Sequence, residues 1–95
     1  MNALHALLLA IVLQQAPSRV CQVRHFAEAR YRAPGYDHIV HIVSGCDFPL
    51  RCVVRTDVNP DPVPADVPPR GHVEVLTWRG SPAYVFTHTI VCGPA

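Results

Sequence analysis

Residues 72–92 read HVEVLTWRGSPAYVFTHTIVC. Two runs rich in β-branched and aromatic residues, His72 to Trp78 and Ala83 to Cys92, flank the turn-forming Arg79-Gly80-Ser81-Pro82. Apolar and polar residues alternate along them with the period of a half-buried strand. A hairpin is therefore expected. Pro82 has no N–H to close a two-residue turn, so a four-residue loop pairs Trp78 with Ala83. That register puts Val73, Val75 and Thr77 on a core face with Tyr84, Phe86, His88, Ile90 and Cys92. The other face carries His72, Glu74, Leu76, Trp78, Ala83, Val85, Thr87 and Thr89. Its turn end is apolar, which is unusual for a face meeting only water. Cover by the proline-rich 59–70 segment, a binding patch at Leu76, Trp78 and Val85, or a register slip that swaps the faces would each account for it.

Upstream, Leu50 to Val58 (LRCVVRTDV) sets Leu50, Cys52, Val54, Thr56 and Val58 on one face and Arg51, Arg55 and Asp57 on the other. Tyr36 to Val43 (YDHIVHIV) is also strand-like and ends at Ser44-Gly45, a turn signal. Gly45 to Pro49 would join these two segments as a hairpin with a long loop. Residues 59–70 (NPDPVPADVPPR) hold five prolines, which suit polyproline II or an irregular edge strand. Val63 and Val67 should there dip toward the core while the prolines face out. Residues 20–26 read as a strand and 27–35 as a connection.

Five to seven short strands separated by turn chemistry indicate an all-β fold: a small antiparallel β-sandwich of Ig-like proportions, or a partly open barrel. The N-terminus differs. Residues 4–13, LHALLLAIVL, form an uncharged apolar run too short to span a bilayer, which takes about 20 residues. The run matches the helical core of a secretory signal peptide. The chain is expected to divide into a signal segment, 1–16, and one disulfide-stapled β domain, 17–95. Leucine crowds the first part and valine the second. Eight arginines and no lysine point to a GC-rich coding sequence and a bacterial source.

The whole chain has 95 residues and a formal charge of +1, with 16% charged residues. Such a balance argues against nucleic-acid binding, which needs clustered cation. A core of about 79 residues rarely supplies more than roughly 3–5 kcal/mol by itself. Cys21, Cys46, Cys52 and Cys92 then read as two disulfides, since no C-x-x-C pair suggests zinc. The expected pairing is Cys46–Cys52 with Cys21–Cys92. The runner-up is Cys21–Cys46 with Cys52–Cys92.

Candidate chemistry is sparse. His38 and His41 make an H-x-x-H pair, but positions i and i+3 of a strand point to opposite faces. A zinc or copper site from His25, His38 and His72 would need the fold to gather them, and metal binding is expected to be weak and incidental. Ser18, Ser44 and Ser81 lie outside any G-x-S-x-G motif. Asp57, Asp61 and Asp66 flank the proline loop, where solvated acids belong. No catalytic residue, cofactor or metal is assigned, and no enzyme activity is expected. The reading is a secreted or periplasmic structural or binding module whose partner is a protein, a peptide or a sugar. The alternative is a small exported protein that binds metal through histidine.

Overall fold

A computed structural model describes residues 20–95. The expected signal segment, 1–16, lies outside the described residues, as does Ser18. Six strands follow in order: β1 (Val23–Arg32), β2 (Gly35–Ser44), β3 (Leu50–Thr56), β4 (Val63–Val67), β5 (His72–Ser81) and β6 (His88–Pro94). They form two antiparallel three-stranded sheets, ordered β1-β2-β5 and β4-β3-β6. The all-β expectation holds, and the described residues contain no helix.

The alternation along β3 is as the sequence implies. Leu50, Cys52 and Val54 are buried, while Arg51 and Arg55 are exposed. The proline-rich segment supplies β4 as the edge strand beside β3, with Val67 buried, Val63 partly buried and Pro64 exposed. A proline at a sheet edge blunts unwanted pairing with other chains. The two inner faces meet in one cluster: Val40 and Ile42 from β2, Val75 from β5, Leu50, Cys52 and Val54 from β3, Val67 from β4, with Cys46 and Phe86 from the connections. Each fully buried valine, leucine or isoleucine stabilises the fold by about 1.5–3 kcal/mol.

Three pairings differ from expectation. The 72–78 and 83–92 runs do not form a hairpin. β5 pairs with β2, β6 pairs with β3, and residues 82–87 cross between the sheets. Alternation alone fixes which face of each run is inward, and it did so here: Val75, Thr77 and Phe86 are buried. It does not choose the neighbouring strand. The Ser81 hydroxyl accepts from the Ala83 N–H, and Phe86 turns into the core, so the crossing segment has its own anchors. Tyr84, expected inward, is exposed.

β2 and β3 likewise do not pair as a hairpin, because they belong to different sheets. Cys46 in their connection is buried, and the Gly45 N–H donates to the Gln22 carbonyl. β2 is the central strand of its sheet, flanked by β1 and β5, and every residue from His38 to Ile42 is buried, the inner ones in the core and the outer ones under side chains of the two neighbouring strands. That explains why HIVHI lacks a polar side.

The first strand runs on to Arg32 instead of stopping near Phe26. Ala33 and Pro34, joined by a cis peptide, turn it into β2, with Arg32 opposite Gly35. Gly35 is required by a close approach. A Cβ there would lie 2.8 Å from the Gly80 carbonyl carbon and 2.8 Å from the Ser81 oxygen.

The disulfides are Cys21–Cys46 and Cys52–Cys92, so the favoured pairing is overturned and the runner-up holds. Cys52 and Cys92 are register partners on β3 and β6, with Cα atoms 4.0 Å apart. Cys21 precedes β1 and Cys46 follows β2, so their bond closes the open end of that hairpin. The expected Cys46–Cys52 bond presumed that β2 and β3 share a sheet.

Candidate functional site

β2 sends His38, Val40 and Ile42 into the core and Ile39 and His41 to the outer face of its sheet. On that outer face the register places Phe26 of β1 and Glu74 of β5 on either side of His41. Glu28 and His72 stand one step along the neighbouring strands. The result is a continuous polar network. The His41 Nε2–H donates to Glu28 Oε1 at 2.6 Å, and His41 Nδ1 lies 2.9 Å from His72 Nε2. Arg30 grips Glu28 through Nε and Nη2, at 2.9 and 3.0 Å, and reaches Glu74 Oε1 at 2.9 Å. The Phe26 ring stacks on His41 with centroids 4.5 Å apart and 9° between planes.

These contacts set the charges. The Arg30 guanidinium, and then His41, hold the Glu28 carboxyl down at about 2. Arg30 also holds Glu74 below the usual carboxylate range. The two carboxylates in turn strengthen the Arg30 charge. Glu28 is therefore an ionised acceptor, so a His41 imidazole with a single proton carries it on Nε2 and leaves Nδ1 as a lone pair.

Further along the same face the surface is apolar. Leu76 is 37% exposed and Trp78 is 41% exposed, and they border an open depression with Arg79. A second depression beside it is edged by Arg30, Arg32, Asp37 and Glu74. The proline-rich segment does not cover Trp78, because it is engaged in the other sheet as β4; Asn59 at its start donates through Nδ2 to the Thr77 carbonyl. The faces are not swapped, since Val75 and Thr77 point inward. Val85 is separated from Leu76 and Trp78. It lies on the 82–87 crossing, 77% exposed, in a depression with Ala27, Ala29 and Tyr84.

The other candidates are scattered. His38 is fully buried, stacked on Phe86, and its Nε2–H donates to the Ala83 carbonyl at 2.7 Å. His25 Nδ1 lies 2.8 Å from His88 Nε2, on β1 and β6. His25, His38 and His72 thus occupy three different places. His38 and His41 face opposite sides, as strand geometry requires. Ser44 Oγ accepts from the Cys46 N–H, and Ser81 serves the turn already described. Asp57 accepts from the Thr87 N–H, and Asp66 pairs with Arg51 at 3.0 Å.

The Glu28–His41–His72 contacts were not read from the sequence. The Glu28–His41 contact depends on β1 running on past Phe26 beside β2, where a connection was expected, and the His41–His72 contact on β5 lying beside β2, a neighbour that the alternation does not choose. The available signal was the dense β-branched run in YDHIVHIV, too apolar for an exposed edge strand, which marks a central strand with a neighbour on each edge.

No protein-family model matches the chain, and no curated protein or solved structure matches it.

Proposed function

We propose that this protein is an exported β-sandwich module that binds a protein or peptide partner on the outer face of the β1-β2-β5 sheet. The observation that carries this reading is Trp78, 41% exposed beside Leu76 on a sheet face that no other segment among the described residues covers. Trp offers a large apolar area and one N–H donor, which suits recognition. Arg79 forms no ion pair with any described residue, and Arg32 approaches Asp37 only at 4.0 Å. An apolar anchor edged by the unpaired Arg79 guanidinium favours a segment that combines an apolar side chain with a carboxylate.

Two disulfides fit an oxidising compartment, and with the leucine-rich N-terminal run they support export to the periplasm or beyond. The strand order supports an Ig-like arrangement. β1-β2-β5 corresponds to strands A, B and E, and β4-β3-β6 to C′, C and F.

Trp78 is the single tryptophan, so its fluorescence reports on the face directly. Peptides pairing leucine or phenylalanine with Asp or Glu should shift its emission to the blue and bind. Trp78→Ala should abolish that binding while leaving thermal stability nearly unchanged. A loss of about 3 kcal/mol or more on Trp78→Ala, the cost of a large core residue, would make Trp78 structural and reject the reading. Binding of neutral oligosaccharides alone would reassign the partner.

A further inference from the structure

We propose that His41 Nδ1 and His72 Nε2 form a chelating pair for a divalent transition cation with square-planar preference, of the copper(II) or nickel(II) class. The two nitrogens are 2.9 Å apart. Two metal–nitrogen bonds of about 2.0–2.1 Å at a right angle place their nitrogens about 2.9 Å apart, whereas a tetrahedral centre needs about 3.3 Å. The present 2.9 Å is that of a hydrogen bond between the rings, which a cation replaces as His72 turns; the cis positions of a tetragonal centre ask for a smaller separation of the two nitrogens than a zinc-type centre does.

The surroundings of His41 are those of a metal ligand. Glu28 accepts the Nε2–H at 2.6 Å, which keeps Nδ1 free of a proton and makes the ring more basic. A carboxylate behind a ligating imidazole plays this part in many metal sites. Glu28 is itself fixed by two bonds from Arg30, and Phe26 holds the plane of the His41 ring. His72 is exposed at the start of β5, and its ring is held by the hydrogen bond to His41 that a cation would replace. On binding, His72 moves its proton from Nε2 to Nδ1, so two neutral imidazoles present lone pairs to the cation and no net proton is lost. The remaining positions stay open to water.

Two rival arrangements are weaker. Glu28, His41 and Glu74 place possible ligand atoms within 4.8 Å of one another. Arg30 fills the gap between their carboxylates, at 3.0 Å from Glu28 Oε1 and 2.9 Å from Glu74 Oε1, so a cation would have to expel a guanidinium. His25 and His88 lie 2.8 Å apart, but no carboxylate among the described residues is bonded behind either ring. That second pair serves as an internal control.

The test is a copper(II) titration of the full oxidised chain, followed by calorimetry and electron paramagnetic resonance. The expected result is one strong equivalent with hyperfine coupling to two imidazole nitrogens. His72→Ala, at an exposed position, should keep the β circular dichroism and weaken that site at least tenfold. Glu28→Gln should weaken it by about 10–100-fold, the range for a lost outer partner. His88→Ala should leave it unchanged. The proposal is overturned if His72→Ala binds copper as tightly as the parent, or if His88→Ala removes the strong site.

Discussion

The ring of His38 lies flat on that of Phe86, with centroids 4.0 Å apart and planes 11° from parallel. The pair ties the middle of the central strand β2 to the segment that crosses between the sheets. His38 Nε2 also binds the Ala83 carbonyl of that segment, while its Nδ1 has no hydrogen-bond partner among the described residues. Phe86→Ala should therefore cost about 3–5 kcal/mol, since it leaves a void beside a buried polar ring. Urea denaturation of parent and variant, compared at equal slope, measures this directly.

The disulfides give a second expectation. Peptide mapping without reduction should yield fragments joining Cys21 to Cys46 and Cys52 to Cys92. The bridged residues are 25 and 40 positions apart. In the chain-entropy description each bond contributes about 3.5–4 kcal/mol, so replacing either pair by alanine should lower stability by similar amounts. A linked fragment holding Cys46 and Cys52 would contradict the connectivity.

Acid should weaken the fold in two stages. Burial, and then the charge of His25, hold His88 below its ordinary value of 6.5. The folded state thus takes up its proton less readily than the unfolded chain. The contribution is complete above pH 6.5 and declines as pH falls below it. Glu28 is held at about 2 against an ordinary 4.5. Its contribution is complete above pH 4.5 and is lost between there and about pH 2. His88→Gln should flatten the upper stage of a stability-versus-pH curve, and Glu28→Gln the lower. A curve unchanged by both variants would refute the assignment.

Gly35→Ala should destabilise the protein by about 1–3 kcal/mol, as overpacking does, because its Cβ would meet backbone atoms of Gly80 and Ser81. The fall in melting temperature should persist when the disulfides are intact.

The parts of the fold legible in the sequence are those governed by alternation. The inward set Leu50, Cys52 and Val54, the exposed Pro64 between Val63 and Val67, and the opposite facing of His38 and His41 follow from period two alone. Strand partnership does not follow from it. The run from Trp78 to Ala83 looks like a hairpin because its ends are close in sequence, but the chain crosses to the other sheet there and buries Phe86 in the core beside His38. One topological substitution then altered the disulfides and the site together. With β2 and β3 in different sheets, Cys46 is directed to Cys21. With β5 beside β2, His41 meets His72. Leu76 and Trp78 were recognisable because their face was readable, and Val85 separated from them because its strand partner was not.

The two covalent loops lie one after the other along the chain, 21–46 and then 52–92, without overlap or nesting. A pull applied across the described segment would be borne by the cross-links, not by the core. Only residues 20, 47–51 and 93–95 lie outside both loops, and fully extended they would add about 30 Å. The oxidised protein would therefore act as a nearly inextensible link under tension. Reduction would turn the same 76 residues into a tether of roughly 250 Å or more.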